Sequence, residues 1–518
     1  MRILVAEPLA QEGLDLLGAS HTVDVRLGLD RASLLTALPA YDALVVRSQV
    51  QVDAEAIAVG ARLVVVGRAG VGVDNVDLEA ATQAGITVVN APTGNTIAAA
   101  EHTIALLLAV ARRVAAADAS LRRGEWARAA YIGIELRGKT LGILGLGKVG
   151  LAVADRARAL EMEVVGHDPF VSAELAAAHG VTLLEPEEVL VRADALTVHL
   201  PGGRATRGLI GAPELARLPR GAIVLNVARG GIVDEAALAE ALASGHLGGA
   251  GVDVFTAEPP LGSPLLGAPR TVLTPHLGAS TAEAQVRVAV EVAQQIVEVL
   301  AGRPARYAVN GPLLTPETAR IVAPYLPLAE TLGRLRAQLG PIEGELTVEL
   351  AGELAGHDGA SLIAAVLRGL LAATTEERVN LVNAPGLARA RGITLAERRT
   401  AEAGGYAALI SVGGGLTVAG TVAAGRPRLV RFGEHRLDMA PAPWMLITRH
   451  RDQPGTIGRV GGILGAADVN ISAMHVARTT ARGDAFMLLA LDDPVSDQVA
   501  ERIRALEAVR DLWLVELG

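Results

Sequence analysis

The feature that most restricts the fold is a regular alternation of short apolar segments with helical patterns, which occurs in two series. In residues 1–90 the apolar segments are RILVAE, ALVVRS, LVVVGRAG and ITVVNA; the second series has TLGILG, EVVGHDP, ALTVHLP, AIVLNVA, AGVDVF and TVLTPHL. A strand–helix repeat of this kind predicts parallel sheets covered by helices. Aromatic residues are only 2% of the chain, so the cores must be built from Ala, Val, Leu and Ile, which suits buried parallel strands.

The order of the two series predicts an inserted domain. A helical segment, TIAAAEHTIALLLAVARR, leads into the second series, and another, AEAQVRVAVEVAQQIVEVLAG, leads away from it. We expect two doubly wound α/β lobes with a cleft between them. The first is formed by residues 1–95 and 286–308, and the second, inserted into it, is formed by residues 96–285.

The remainder of the chain predicts two further domains. A stretch rich in Pro and Gly, NGPLLTPETARIVAPYLP (310–327), marks a boundary. We expect an α+β domain over residues 309–440. Residues 444–518 have a β-α-β-β-α-β pattern, which predicts a ferredoxin-like domain.

Composition excludes several classes of function. The net charge of −9 argues against a general nucleic-acid binder. The chain has no Cys, which excludes disulfides, thiolate catalysis and Cys-ligated metal, and fits a reducing compartment. The start, MRILVAEPLA, lacks the apolar core of a signal peptide, and the longest apolar run, TIALLLAVA, is far shorter than the ~20 residues that span a bilayer. We therefore expect a soluble, cytoplasmic protein without metal, membrane or nucleic-acid partners.

A glycine-rich turn opens the second series. Gly145, Gly147 and Gly150 form G-x-G-x-x-G between an apolar strand and a helix, and Asp168 stands at the end of the next strand. The glycines permit close approach of the backbone to a pyrophosphate, and the N–H groups of the helix start face its charge. Asp168 can accept from both ribose hydroxyls and would repel a 2′-phosphate, so we predict NAD rather than NADP as the cofactor. The alternative is a glycine turn that only packs the helix against the strand.

Three polar side chains follow other strands of the second series: Arg229 in NVARGGIVDE, Glu258 in DVFTAEPP and His276 in TPHLGAST. Oxidation of an alcohol beside a carboxylate needs a base for the hydroxyl proton, which a neutral imidazole provides near pH 7. A neighbouring carboxylate fixes the imidazole tautomer, and a guanidinium pairs with the substrate carboxylate. Singly, a loop His and two surface charges would explain these residues. Their common position at strand ends favours catalysis.

The motifs that carry these residues, together with RAGVGVDNVDLEAAT, resemble the D-isomer-specific 2-hydroxyacid dehydrogenases over essentially the whole chain. The resemblance implies that Arg229 binds the substrate carboxylate and that Glu258 is the partner of His276, the acid/base. It implies substrate contacts from the first lobe at Arg47, Ser48, Arg68 and Asn95. It also implies NAD contacts, several through the backbone, at Val71, Lys148, Val149, Asp168, Leu200, Val227, Asp253, His276, Leu277, Gly278 and Ala279.

Within that family the match is closest to the members that oxidise D-3-phosphoglycerate to 3-phosphooxypyruvate, the first committed step of L-serine biosynthesis. The resemblance therefore implies 3-phosphoglycerate as the substrate. Two positions depart from the family pattern. Gln51, in RSQVQVD, stands where a Lys would add a cation for the phosphate, so phosphate recognition depends more on Arg47 and Arg68. Leu200 stands where the family often has Thr, so a contact there must be through backbone or apolar atoms.

The last domain resembles an ACT domain, a small-molecule regulatory module of amino-acid metabolism, in RHRDQPGTIGRVGGILGAADVNISAMHVAR. Asp452 precedes a Pro-Gly turn that opens a helix, whose free N–H groups suit a carboxylate. The resemblance implies that His450, Asp452 and Asn470 line an L-serine site shared between two chains, and therefore a homo-oligomer, for which we expect a tetramer. A helix cap and a turn Asn would explain each residue alone.

The segment VNLVNAPGLARARGITLAERR resembles the intervening domain of the longer family members. Its charges suggest anion binding, and a spacer between the catalytic and regulatory domains explains it equally well. Two other functions stay open for the whole chain: a reductase for glyoxylate, hydroxypyruvate or another small 2-oxo acid, and a non-catalytic NAD-sensing binder. Gln51 slightly favours the reductase, whereas the complete set of Arg229, Glu258 and His276 argues against the binder.

Overall fold

The computed structural model describes residues 1–312, 316–375 and 377–517. The chain begins with a sheet of five parallel strands in the order β2-β1-β3-β4-β5. Its strands are short and almost wholly apolar because helices cover both faces. The elements are β1 (Arg2–Val5), α1 (Gln11–Gly18), β2 (Thr22–Val25), α2 (Arg31–Ala37), β3 (Ala43–Val46), α3 (Ala54–Val59), β4 (Val65–Arg68), α4 (Leu78–Gln83) and β5 (Thr87–Asn90).

The second sheet has seven parallel strands in the order β12-β11-β10-β9-β6-β7-β8, so the strand order reverses between β6 and β9. Ligands of open α/β sheets bind at such a reversal, outside the C-terminal ends of the strands. Two helices, α5 (Thr96–Ala111) and α6 (Val114–Arg122), lead into the sheet. Its elements are β6 (Thr140–Leu144), α7 (Lys148–Ala159), β7 (Glu163–His167), α8 (Ala173–Ala178), β8 (Thr182–Leu183), α9 (Pro186–Arg192), β9 (Ala195–Val198), α10 (Ala212–Arg217), β10 (Ile223–Asn226), α11 (Glu235–Ala243), β11 (Gly249–Val252) and β12 (Thr271–Leu273).

Helix α12 (Ala282–Leu300) returns the chain to the first sheet, where it packs on α1, β4 and β5. Two glycines make room for it. A Cβ on Gly13 would lie 2.8 Å from the Cβ of Ala289, and a Cβ on Gly67 would meet Val292 and Ile296. The second sheet is thus inserted between parts of the chain that pack together.

The rest of the chain forms two sheets whose strands are mostly antiparallel. The third sheet has the order β14-β13-β15-β16-β17-β18, in which only β13 and β14 run parallel, and the fourth has the order β20-β21-β19-β22. The elements are α13 (Pro316–Val322), α14 (Leu326–Ala337), β13 (Leu346–Gly352), α15 (Ala360–Ala372), α16 (Ala384–Ala390), β14 (Leu395–Thr400), β15 (Ala408–Val412), β16 (Val418–Ala423), β17 (Arg426–Phe432), β18 (His435–Met439), β19 (Trp444–Arg451), α17 (Thr456–Gly465), β20 (Ile471–Arg478), β21 (Asp484–Leu491), α18 (Asp497–Arg504) and β22 (Val509–Glu516).

The third and fourth sheets share one hydrophobic core. Alternate residues of the fourth sheet, such as Ile447 and Leu488, are buried with residues of α14 and β17, while the opposite face packs on α17 and α18. Phe432 of β17 meets Phe486 of β21 edge to face, with ring centroids 5.1 Å apart. The prediction of two parallel-sheet lobes followed by α+β and ferredoxin-like units is confirmed. The exact boundaries of the four domains stay predictions.

No helix in the described part of the chain is both long enough and apolar enough to span a bilayer. The same residues contain no group of three or more His, Asp or Glu side chains that could hold a metal ion.

Candidate active site

The C-terminal edges of the two parallel sheets face each other across a cleft. A cavity of about 860 Å³ lies in it and is lined from both sides. The first lobe contributes residues after β3 and at the end of β4, and the second contributes residues after β9, β10, β11 and β12. The polar lining residues are Ser48, Gln51, Arg68, Asp74, Asn75, Arg204, Thr206, Arg207, Arg229, Thr256, Glu258 and His276.

His276 and Glu258 form a hydrogen-bonded pair in this cavity. Nδ1 of His276 lies 2.8 Å from Oε2 of Glu258, whose other oxygen accepts from the backbone N–H of Phe255 at 3.1 Å. Partial burial by itself raises the pKa of Glu258, but the hydrogen bonds from His276 and Phe255 outweigh it and lower the pKa overall. Both side chains are about two-fifths exposed, 41% for His276 and 39% for Glu258, so they are open to a ligand.

The loop that carries His276 is held in an unusual conformation. His276 has a φ of +55°, in the left-handed region that non-glycine residues seldom adopt. Asp253, wholly buried at the end of β11, fixes the next residues: it accepts from the backbone N–H of Leu277 at 2.7 Å and of Gly278 at 2.9 Å. Its Oδ1 also accepts from Thr274 Oγ1 at 2.6 Å and lies 3.2 Å from His102 Nε2. Asp253 therefore positions the loop that carries His276, and its predicted contact with NAD stays a prediction.

Arg229 reaches across the cleft to the first lobe. Its Nε donates to Asp74 Oδ2 at 3.2 Å, and its Nη1 donates to the backbone oxygen of Ala228 at 2.7 Å. A Cβ on Gly72 would overlap the guanidinium, so a larger residue there would require Arg229 to move. The ion pair between Arg229 and Asp74 therefore joins the two lobes across the cavity.

Arg68 adds a second guanidinium close to the first. Burial lowers the pKa of Arg68 to about 10, and the nearby charge of Arg229 acts in the same direction. The group is still a cation at pH 7, and its buried Nε has no hydrogen-bond partner within the ranges that the structure describes. Gly70, at φ +155°, leaves the space that the Arg68 guanidinium occupies. A desolvated cation of this kind favours an anionic ligand.

The glycine-rich turn forms a cradle at the reversal point of the second sheet. Gly145 has φ +93°, a Cβ on Gly150 would overlap the Gly145 oxygen, and a Cβ on Gly147 would meet open space. Helix α7 begins at Lys148 with no side-chain cap, which leaves the N–H groups of its first turn for a ligand. Asp168 follows β7 and accepts from the backbone N–H of Leu146 at 2.9 Å, which holds its carboxylate beside the turn. A bare helix start, a clear approach over Gly147 and a fixed carboxylate fit a dinucleotide.

The other predicted NAD residues lie on the same edge of the second sheet, with one exception. Leu200 follows β9 with Cδ2 beside Gly145, and Val227 follows β10 beside Gly278. The exception is Val71, which follows β4 in the first lobe. The remaining residues, Val149 and Ala279, lie in the first turn of α7 and in the loop after His276.

Two predicted substrate residues do not line the cavity. Ser48 and Arg68 do, but Arg47 and Asn95 are absent from its wall. The backbone N–H of Arg47 donates to Glu7 at 2.6 Å, and its charge acts on Arg68. Asn95 stands at the start of α5 with a buried Oδ1 that lacks a partner among the described residues. Their roles as direct substrate ligands stay predictions.

Three residues that line the cavity, Asp74, Arg204 and Arg207, were not predicted from the sequence. Asp74 lies in the RAGVGVDNVD motif, which resembles the family, so its position could have marked it as a candidate site residue. Nothing in the motif shows that its partner, Arg229, is in the other lobe. Arg204 and Arg207 lie in the PGGRATRG segment after β9 and make no ion pair or side-chain hydrogen bond within the described part of the chain. Their position after a strand of the second sheet was the available signal.

The three predicted regulatory residues are not brought together within one chain. His450 and Asp452 lie at the end of β19, where Arg451 pairs with Asp484, whereas Asn470 precedes β20, at the end where Trp444 pairs with Leu491. The two ends are separated by the length of an eight-residue strand, roughly 25 Å. Burial lowers the pKa of His450, and an ion pair with Arg478 lowers the pKa of Asp452.

Comparison with known proteins defines the class. Residues 104–278 match the NAD binding domain of the D-isomer specific 2-hydroxyacid dehydrogenases, residues 321–433 match the D-3-phosphoglycerate dehydrogenase intervening domain, and residues 444–508 match the ACT domain. Among solved structures, the TT0316 protein from Thermus thermophilus is 40% identical, with a TM-score of 0.56 over 60% of this chain and 100% of that one. A glyoxylate reductase from Paecilomyes thermophila is 30% identical, with a TM-score of 0.55 over 60% and 98%.

Full-length relatives narrow the class. The D-3-phosphoglycerate dehydrogenase of Synechocystis is 44% identical over 100% of this chain and 95% of that one, and the enzyme of the same name from Archaeoglobus fulgidus is 43% identical over 100% of both. The chain belongs to the D-3-phosphoglycerate dehydrogenase family of the D-isomer specific 2-hydroxyacid dehydrogenases. The resemblance found in the motifs and the prediction of NAD as the cofactor are confirmed.

Proposed function

We propose that this protein oxidises the C2 hydroxyl of D-3-phosphoglycerate with NAD, giving 3-phosphooxypyruvate, NADH and a proton, as the first committed step of L-serine biosynthesis. The observation that carries the proposal is one cavity in which the His276–Glu258 pair faces the guanidinium groups of Arg229 and Arg68. When bound, NAD accepts the hydride that leaves C2. The turn at Gly145–Gly150 and the Asp168 carboxylate would hold it.

His276 removes the hydroxyl proton. Because its Nδ1 is engaged by the Glu258 carboxylate, Nδ1 carries the hydrogen and Nε2 is the free acceptor. The lowered pKa of Glu258 keeps that carboxylate ionised near neutral pH, where it stabilises the imidazolium that forms. In the reverse direction the same imidazolium returns the proton to the carbonyl oxygen.

Arg229 binds the substrate carboxylate. Without a ligand its Nε donates to Asp74 at 3.2 Å, which orients the guanidinium across the cleft. A substrate carboxylate takes over this interaction with better geometry, because a guanidinium fork can donate two parallel hydrogen bonds to it. Asp74 is then released, so binding exchanges one ion pair for another and leaves no cation unpaired.

The phosphate group is bound by cations from both lobes. Arg68 supplies one from the first lobe, and Arg204 and Arg207 supply two from the loop after β9. They lie in the same cavity wall as Gln51, where the family commonly has a Lys. These two arginines supply the positive charge that a Lys in place of Gln51 would otherwise provide.

Regulation requires two chains. Strand β20 is an edge strand with exposed residues such as Met474, which is 47% exposed. If the β20 strands of two copies pair antiparallel about their midpoint, Asn470 of one copy comes next to the Arg478 end of the other, where Asp452 lies. This pairing would form an L-serine site from His450 and Asp452 of one chain and Asn470 of the second. The proposal includes feedback inhibition by serine, a homotetramer and a cytoplasmic location.

The test is an assay of NADH formation from D-3-phosphoglycerate, D-glycerate and D-lactate, each with and without L-serine. We expect efficient turnover only of the phosphorylated substrate, with inhibition by serine. Equal kcat/KM for glycerate and phosphoglycerate would contradict the proposal. The similarity to a glyoxylate reductase and the presence of Gln51 favour reduction of small 2-oxo acids as the second candidate. NADH oxidation with glyoxylate and hydroxypyruvate distinguishes the two.

A further inference from the structure

A second cavity, of about 210 Å³, lies between the first lobe and the unit that follows it. Val64 and Thr87, at the N-terminal ends of β4 and β5, line one side, together with the segment 302–312. Helix α15 and the segment 378–382 line the other side. Because the catalytic cleft is at the C-terminal edge of the same parallel sheet, the two cavities are at opposite edges.

A buried hydroxyl in this wall has no partner. Ser361, in the first turn of α15, is 3% exposed, and its Oγ makes no hydrogen bond with any residue that the structure describes. A hydroxyl taken out of water without a partner costs free energy, so such a group is usually hydrogen-bonded to protein or ligand. Its position in the wall of a cavity indicates that the missing partner occupies the cavity.

Cationic groups surround the same space. Arg368 lies two helical turns after Ser361 on the same face of α15, and its buried Nε has no partner among the described residues. Its Nη2 pairs with Glu330. Arg303 makes no ion pair or side-chain hydrogen bond in the described part of the chain. Two unused donors and an unpaired charge favour an anion.

Acidic side chains among the described residues offset only part of this positive charge. Glu330 is shared between Arg368 and Arg334, and Asp358 caps the start of α15 by accepting from the backbone N–H of Ala360 at 3.0 Å. Arg378 also lines the cavity; burial lowers its pKa, and Asp42 partly opposes this effect.

The apolar wall limits the size and type of ligand. Val64, Val299, Pro304, Ala305 and Ala308 form most of the remaining surface. We propose that this junction cavity, made by the first lobe and α15, binds a small anion whose carboxylate or phosphate group is held by Ser361 Oγ, Arg368 Nε and Arg303. Binding of an anion in this junction cavity does not depend on which substrate the catalytic cleft binds.

The bound anion would stabilise the contact between the catalytic and regulatory halves of the chain. The same junction is crossed by two direct hydrogen bonds: Arg378 Nη1 donates to the Leu63 oxygen at 2.8 Å, and Asn380 Nδ2 donates to the Gly85 oxygen. A ligand that contacts both sides binds only when they are docked, so its binding favours the docked arrangement.

The experiment is thermal unfolding of the full chain in increasing inorganic phosphate or succinate, with sodium chloride at equal ionic strength as the reference. We expect a saturable rise in Tm of the wild type with one anion or both, which also separates a phosphate site from a carboxylate site. Absence of a rise with either anion would overturn the proposal. Ser361→Ala removes an unpaired hydroxyl, so without anion its Tm should equal or exceed that of the wild type, whereas its rise with anion should be at most half as large.

Three further variants test the location. Arg303→Gln should lose most of the rise, and the control Arg220→Gln, an exposed cation elsewhere in the chain, should keep it. Arg204→Gln, which removes a cation from the phosphate site proposed in the catalytic cleft, should also keep the rise. A rise that is unchanged in Ser361→Ala and Arg303→Gln, or that disappears in Arg204→Gln, would place the anion elsewhere and overturn the proposal. Because the readout is not activity, failure of the proposed function would not affect this result.

Discussion

Nδ1 of His276 lies 2.8 Å from Oε2 of Glu258, although the two residues follow different strands of the second sheet. Nε2 of the same imidazole makes no hydrogen bond with the residues that the structure describes, and His276 lines a cavity shared by both lobes. The buried carboxylate of Asp253 holds this loop by accepting hydrogen bonds from the two backbone N–H groups that follow His276. These contacts orient the imidazole, which is the condition for efficient proton transfer in the function proposed above.

Replacing the imidazole should abolish proton transfer without removing the cofactor site. We expect His276→Ala to lower kcat by about 10²–10⁴-fold, with the Kd for NADH within a few-fold of the wild type. Steady-state kinetics and NADH fluorescence titration measure the two effects. The matched control is His179→Ala, because His179 forms a similar pair with Asp155 at 2.9 Å outside the cleft. Unchanged kcat in His276→Ala would reject the acid/base assignment.

Replacing the carboxylate of the pair should change the pH dependence. The pKa of Glu258 is lowered, so the stabilisation it gives to the pair is present above its unfolded pKa and is lost as pH falls through the lowered folded value. In Glu258→Gln no carboxylate titrates beside the imidazole, so kcat/KM for oxidation should lose the part of its acid decline that comes from protonation of Glu258. We also expect a roughly tenfold lower plateau, because a neutral amide orients and stabilises the imidazole less strongly than a carboxylate. An unchanged plateau together with an unchanged acid decline would show that Glu258 does not influence His276.

The carboxylate beside the glycine-rich turn should select the cofactor. Asp168→Ala removes the group that is expected to accept from the ribose hydroxyls and to repel a 2′-phosphate. We expect the preference for NAD over NADP, measured as a ratio of kcat/KM values, to fall by about tenfold or more. Glu163→Ala, at the other end of β7, is the control and should leave the ratio unchanged. The same ratio in both variants would count against the role of Asp168.

The arginines after β9 should contribute to phosphate recognition. We expect Arg204→Gln and Arg207→Gln each to lower kcat/KM for 3-phosphoglycerate by about tenfold while leaving the much lower value for glycerate unchanged. Adding Gln51→Lys should partly restore the loss, because it returns a cation to the same cavity wall. Equal losses with both substrates would indicate a general effect on the loop and contradict a role in phosphate binding.

The regulatory site should need residues from two chains. Asn470→Ala and Asp452→Ala should each blunt inhibition by serine, with uninhibited kcat unchanged. Because the two residues lie at opposite ends of the sheet in one chain, a dimer mixed from the two variants contains one intact site. We expect the mixture to recover part of the serine response after subunit exchange. A full serine response in Asn470→Ala alone would remove that residue from the site.

The sequence by itself determined the two parallel-sheet lobes, the place of the glycine-rich turn, and the positions of Arg229, Glu258 and His276 after strands of the second sheet. These features depend on local pattern: a run of apolar residues defines a strand, and parallel strands bring their C-terminal ends to one edge whatever the details of packing.

Only the tertiary structure decided which residues meet across the cleft and which residues from distant parts of the chain contact each other. The Asp74–Arg229 pair joins residues 155 positions apart, and the glycines of the RAGVG motif serve to admit two guanidinium groups. Local pattern likewise does not show that the Ser361 hydroxyl lacks a partner among the described residues, or that Asn470 and Asp452 are far apart in one chain. The physical reason is that such contacts depend on how whole sheets pack against each other. A sequence motif predicts the strand or turn that contains a residue, but it does not predict which surface packs against that residue.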